Sequence, residues 1–120
     1  MADALGPIRR LINATRYSLR GLRDGWRTQP ALRYESFVLV IIIPVAWLAG
    51  KGVVERALLI GSYLLVIVVE LINSAIESVV DRIGREQHEL SGRAKDFGSA
   101  AVFCAIVVAA IIWLLIMTGS

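Results

Sequence analysis

The chain alternates between long apolar runs and short segments dense in charge. From Phe97 to Ser120 no charged residue occurs, and Val102 to Met117 is apolar on every face. A helix that is hydrophobic all round belongs in lipid or inside a large protein, and 120 residues do not make one. Ala57 to Val80 forms a second run of similar length, interrupted by Glu70 and Glu77. A third, Ser36 to Gly50, gives only about 22 Å of helix, short of the roughly 30 Å hydrocarbon core. Starting near Pro30, with Arg33 and Glu35 at the interface, would give it the missing length. Pro44 predicts a kink there, which neighbouring helices in a membrane bundle can tolerate. Gly50-Lys51-Gly52 leaves room only for a tight turn between the first two spans, and the polar stretch Asp81 to Asp96 separates the second from the third.

Residues 8 to 27 follow another pattern. Ile8, Leu11, Ile12, Thr15, Leu19, Leu22 and Trp26 recur at helical spacing and cover a sector of roughly 100°. Arg9, Arg16, Arg20, Arg23 and Arg27 form a neighbouring rail. The expected element is an interfacial helix, apolar face at the acyl boundary and arginines toward anionic headgroups. A basic helix packed on a partner protein is the alternative. The expectation is an all-α membrane protein of one domain, residues 1–120. It comprises a surface helix over about 6–27 and spans over about 31–49, 54–83 and 97–118.

Composition agrees with the pattern. Hydrophobic residues make up 57% of the chain and charged residues 19%, and the mean hydropathy is +0.68. A small domain in water could not bury that much apolar surface. One cysteine excludes a disulfide scaffold, and the high hydrophobicity excludes a disordered chain.

The net charge of +3 is resolved by its distribution. Seven basic residues, Arg9 through Arg33, precede the first span, and Arg82, Arg85, Arg93 and Lys95 lie in the second connection. Only Lys51 and Arg56 lie near the first turn, and none follows Lys95. The positive-inside rule puts the N-terminus and residues 81–96 in the cytoplasm and the C-terminus outside. The N-terminus lacks the apolar core of a signal peptide. Arginines beside a membrane anchor also argue against nucleic acid as a partner.

The candidate chemistry lies in Glu70 and Glu77. An ionisable group in a span costs about 2.5–3.5 kcal/mol on insertion scales, so two of them must face protein, water or a cation. Glu70, Asn73, Glu77 and Asp81 fall within about 80° of one helix face. The two glutamates are about 10 Å apart along the axis, which suits separate roles, one holding a cation and one handling a proton. Phosphoryl transfer uses such groups, with a divalent cation and cationic side chains on the phosphate. Lys95 and Asp96 follow on the cytoplasmic side, though no Walker-type or kinase-type glycine loop is present. Ion translocation along the same carboxylates stands beside catalysis here. A conducting path, however, needs polar residues through the outer half, where Ala57 to Val69 offers only Ser62 and Tyr63.

The stretch Glu70-Leu-Ile-Asn73-Ser-Ala-Ile-Glu77-Ser-Val-Val-Asp81-Arg82-Ile-Gly84, with Glu86-Gln-His88-Glu-Leu-Ser-Gly-Arg-Ala-Lys95-Asp96 and Gly98-Ser99-Ala100-Ala101-Val102, resembles the signature of the bacterial integral-membrane diacylglycerol kinases. Tyr17-Ser18, Gly21-Leu22-Arg23, Trp26 and Arg56 with Leu58-Leu59-Ile60 extend the likeness over nearly the whole chain. Leu90-Ser91-Gly92-Arg93 is closer to the Gram-negative type than to the related undecaprenol kinases. The resemblance implies a homotrimer in the bacterial inner membrane with active sites shared between subunits. It implies transfer of the γ-phosphate of magnesium ATP to diacylglycerol, giving phosphatidate. On the same basis Glu70 is the catalytic base, and Glu77 is a Mg2+ ligand that also contacts ATP. Arg10, Tyr17, Glu86, His88, Lys95 and Asp96 contact nucleotide, with Asn73 on the same polar face. Arg56, Ser99 and Trp113 line the lipid site.

One position departs from the family. It carries a second metal-binding Glu before the first span, where this chain has Gln29. An amide oxygen ligates a hard cation without contributing charge. The expectation is a weaker metal site, helped by a carboxylate such as Glu35 or Asp24. Asp81 is read as closing the polar junction with Arg82 or Arg85. Cys104 is read as a small hydrophobe, and Trp26, Trp47 and Trp113 as interfacial anchors. Gly92 and Gly98 are close-packing or helix-end positions, a choice left open by the sequence.

Overall fold

A computed structural model describes residues 5–119 as four helices, with no strand among the described residues. They are α1 (Gly6–Thr28), α2 (Pro30–Ala49), α3 (Val53–Ile83) and α4 (Glu89–Thr118). The last three are long and apolar enough to cross a membrane. α2 starts at Pro30, where proline suits the first turn of a helix, and so reaches 20 residues. It runs unbroken through Pro44. The polar stretch between the second and third spans is mostly helical. α3 continues to Ile83, α4 begins at Glu89, and only residues 84–88 form the connection. The reason is capping: the His88 side chain accepts a hydrogen bond from the Leu90 N–H and so starts α4 eight residues before Phe97.

Two short turns make α2, α3 and α4 antiparallel neighbours. The first holds Gly52 at φ +148°, a region open to glycine. Arg56 closes it, its Nε donating to the Trp47 carbonyl at 2.9 Å while the guanidinium stacks on the Trp47 ring. α3 and α4 then meet along their length. Lys95 faces Asp81 near the 84–88 connection, Gly98 faces Asn73 midway, and Trp113 Nε1 donates to the Leu59 carbonyl at the far end.

The interior is small, consisting mainly of Leu32, Ala46, Leu59, Val66, Val80 and Ala105, while most large apolar side chains face outward. That inversion fits a lipid surround, where helix association rests on close packing rather than on escape from water. Leu59 is 0% exposed. Leu59→Ala is expected to lower stability by about 2–5 kcal/mol, the range for buried leucine truncation. Denaturant titration in detergent micelles measures it. An unchanged midpoint would remove Leu59 from the packing core.

α1 contributes no buried residue and joins α2 through a single non-helical residue, Gln29. Gln29 ends one helix and begins the next: its N–H donates to the Gly25 carbonyl, and its own carbonyl accepts from the Leu32 N–H. Arg33 Nη1 donates to the Trp26 and Arg27 carbonyls at 3.0 and 3.1 Å, satisfying the C-terminus of α1. Trp26 meets Phe37 edge to face, with ring centroids 5.3 Å apart. A groove of about 560 Å³ lies between α1 and α3, with Asp24, Gln29, Ser74 and Ser78 on its walls.

Candidate active site

Glu70 sits on α3 where α2 passes, and the side chain opposite is Glu35. The two carboxyls lie close enough for one, when protonated, to donate a hydrogen bond to the other. Glu35 Oε2 is otherwise buried without a polar partner. The Tyr63 hydroxyl fixes the local backbone by donating to the Glu35 carbonyl at 2.7 Å. Two ionised carboxylates in contact repel, so such a pair is held by a shared proton or a cation. From the sequence, Glu35 is expected at the interface or beside the metal; the structure sets it against Glu70. A signal for this was present, because a three-residue turn pairs residues at about equal distances on either side of it.

About 10 Å further along α3, at the usual helical rise, Glu77 belongs to a second arrangement. Asn73 Nδ2 donates to Glu77 Oε1 at 3.3 Å, while Asn73 Oδ1 is buried without an N–H or O–H donor. Among the described residues no three His, Cys, Asp or Glu side chains gather as a metal site. Magnesium, however, commonly takes one or two carboxylates together with phosphates and waters. One oriented carboxylate fits an ion that arrives with nucleotide phosphates. Gln29 lines the α1–α3 groove with Ser74 and Ser78, the residues on either side of the Glu77 turn.

The 84–88 connection frames a third region, an open cavity of about 910 Å³. Glu86, His88, Lys95 and Asp96 all line it, together with Asp81, Arg85 and Arg93. Its volume lies within the roughly 300–1,000 Å³ usual for small-ligand sites. Lys95 Nζ lies 2.8 Å from Asp81 Oδ1. Asp81 therefore engages the lysine of the cavity directly, while the expected Arg85 adds a favourable charge at longer range. The antiparallel register of α3 and α4 explains it, since that register sets residue 81 opposite residue 95. His88 Nδ1 is occupied in capping α4, which turns Nε2 into the ring's available donor.

Other nominated residues stand apart within one chain. Arg10 and Tyr17 are exposed on α1, Tyr17 about 18 Å along the helix from Gln29 and under the Arg20 guanidinium. Arg56 and Trp113 lie at the opposite end of the bundle, about 21 Å along α4 from Ser99 in the case of Trp113. Ser99 itself is exposed beside Gly98. The arrangement is graded along α3: a carboxyl pair at Glu70, an amide-held carboxylate at Glu77, and a charged cavity beyond Asp81. Such a gradient can move a proton from a hydroxyl at apolar depth while holding a polyanion at the polar end.

Comparison with known proteins gives this gradient a context. The family model for prokaryotic diacylglycerol kinase matches residues 16–117. A diacylglycerol kinase of Haemophilus influenzae is 52% identical over 103 residues, covering 86% of this chain and 87% of that protein. One of Escherichia coli is 48% identical over 117 residues, 98% and 96% of the two chains. One of Pseudomonas aeruginosa is 46% identical over 112 residues, 93% and 91%.

Proposed function

The chain belongs to the prokaryotic diacylglycerol kinase family, and from that membership and the graded site we propose the course of its reaction. It is a lipid kinase of a bacterial membrane, transferring the γ-phosphate of ATP to the hydroxyl of diacylglycerol. The observation that carries the mechanism is the placing of a carboxyl pair deep in α3 and of the charged cavity at its polar end.

The lipid hydroxyl approaches Glu70 from the apolar side, where the acyl chains stay among the outward-facing side chains of α3 and α4. Glu70 takes the hydroxyl proton, with Glu35 holding the carboxylate in place and sharing the proton afterwards. The hydroxyl oxygen forms its bond to the γ-phosphorus as the bond to the bridging oxygen breaks, which yields phosphatidate and ADP. Little covalent work is left to the protein, so positioning and charge neutralisation dominate. Lys95 lies against the phosphates, released from Asp81 as they enter. Glu86, His88 and Asp96 line the space taken by nucleotide, with Arg10 and Tyr17 reaching it from α1. Glu77, with Gln29 as an amide ligand, would hold a magnesium ion, which would supply positive charge to the phosphate oxygens. Ser99, Arg56 and Trp113 line the path of the lipid.

The wide spacing of Arg10, Tyr17, Arg56 and Trp113 within one chain supports sites completed by neighbouring subunits, as in the homotrimer that the family resemblance implies. The basic residues support a cytoplasmic N-terminus and a cytoplasmic 84–88 connection, with the C-terminus outside. Transfer of labelled phosphate from ATP to diacylglycerol in mixed micelles tests the reading directly, and a native chain that transfers nothing overturns it.

Gln29 supplies a further test. Gln29→Glu restores a charge in the groove beside Ser74 and Ser78. It is expected to lower the magnesium concentration for half-maximal activity by roughly tenfold, a change typical of altered metal surroundings. A titration identical to that of the native chain would exclude Gln29 from the metal site.

A further inference from the structure

Gly98 is the place where α4 comes closest to the polar face of α3. A Cβ built at this position would fall on Asn73 Oδ1 and lie 3.1 Å from Asn73 Cγ. The Asn73 amide is thus packed against Gly98, filling the volume that any other side chain would take. Gly61 on α3 and Gly92 on α4 meet nothing within 4 Å under the same construction. Close packing at Gly98 is therefore a local demand of Asn73.

The orientation of that amide has a consequence. Asn73 Oδ1 is buried with no N–H or O–H donor, and what faces it is the α-carbon of Gly98, a weak C–H donor. With the oxygen turned toward α4, Nδ2 points along α3 to Glu77 Oε1 at 3.3 Å. Without the cleft at Gly98 the amide could not lie in this plane. It would have to rotate away from Glu77 or push α4 outward, and either change releases the carboxylate.

The geometry points to Gly98 as a positioning residue for the cation site, acting through Asn73 to hold Glu77 in the orientation that receives magnesium with nucleotide. This deepens the kinase reading, because it rests on Glu77 being the ligand. Groups one step behind a metal ligand change affinity by about 10–100-fold when altered.

The test uses the full-length protein in detergent micelles, with Mn2+ binding in the presence of ADP followed by electron paramagnetic resonance, alongside the magnesium dependence of lipid phosphorylation. Gly98→Ala is expected to weaken Mn2+ binding about tenfold or more and to raise the magnesium requirement by a similar factor. Asn73→Ala should reproduce both shifts. Gly98→Ala with Asn73→Ala should be no worse than Asn73→Ala alone, since the methyl then enters vacated space. That double variant also covers failure of the single one to fold: recovery of folding on removing Asn73 supports the contact, and continued misfolding overturns it. Native Mn2+ affinity in Gly98→Ala, or losses that multiply in the double variant, would likewise overturn the inference. Absence of phosphate transfer by the native chain would refute the kinase reading instead, while the Mn2+ arm still decides the role of Gly98.

Discussion

Glu70→Gln is expected to lower phosphate transfer to diacylglycerol by about 10²–10⁴-fold, the usual contribution of a positioned general base. The substitution keeps the size of the side chain and its ability to hydrogen-bond, so the α2–α3 packing should survive. ATP affinity should change little, because the charged cavity is lined by residues 80–96 and lies further along α3. The measurement is the initial rate at saturating ATP and lipid, with nucleotide affinity determined separately. A fully active Glu70→Gln protein would remove Glu70 as the base. Glu35→Gln sharpens the result, since Glu35 is the group against the Glu70 carboxyl. If Glu35 positions Glu70, this variant should alter the pH profile of the rate as well as its maximum. A structural effect alone would lower the maximum and leave the profile in place.

Lys95→Met is expected to reduce turnover by about 10²–10³-fold, the range seen when one preorganised donor to developing charge is lost. Methionine preserves the length and apolar stem of the side chain while removing its charge, so the loss reports electrostatics. The 2.8 Å pair with Asp81 provides the control. Both side chains are nearly half exposed, and surface ion pairs of this kind contribute little to stability. Asp81→Asn should therefore leave the fold intact and cost far less activity than Lys95→Met. Equal losses in the two variants would show that the pair acts as a structural tie and that Lys95 does not meet phosphate.

Much of this protein is legible along the chain. Lipid surrounds apolar helices with a uniform solvent, so span length and charge placement are local properties. That is why the apolar runs, the amphipathic segment at residues 8–27 and the polar face of Glu70, Asn73 and Glu77 can be read without tertiary knowledge. The start of α4 was less accessible, because hydropathy marks where apolar sequence begins, whereas a helix begins at its cap. His88 provides that cap, so that α4 begins at Glu89, eight residues ahead of Phe97.

Contacts between helices depend on register and rotation, which no single segment contains. The chain by itself determined the membrane class, the three apolar spans, the family and the polar face that carries Glu70 and Glu77. Only the tertiary structure decided that Glu35 meets Glu70, that Asp81 pairs with Lys95, and that Gly98 makes room for Asn73. Each of these joins residues on different helices. Their meeting follows from how closely two helices pack and at what height, and short turns and small residues control that jointly.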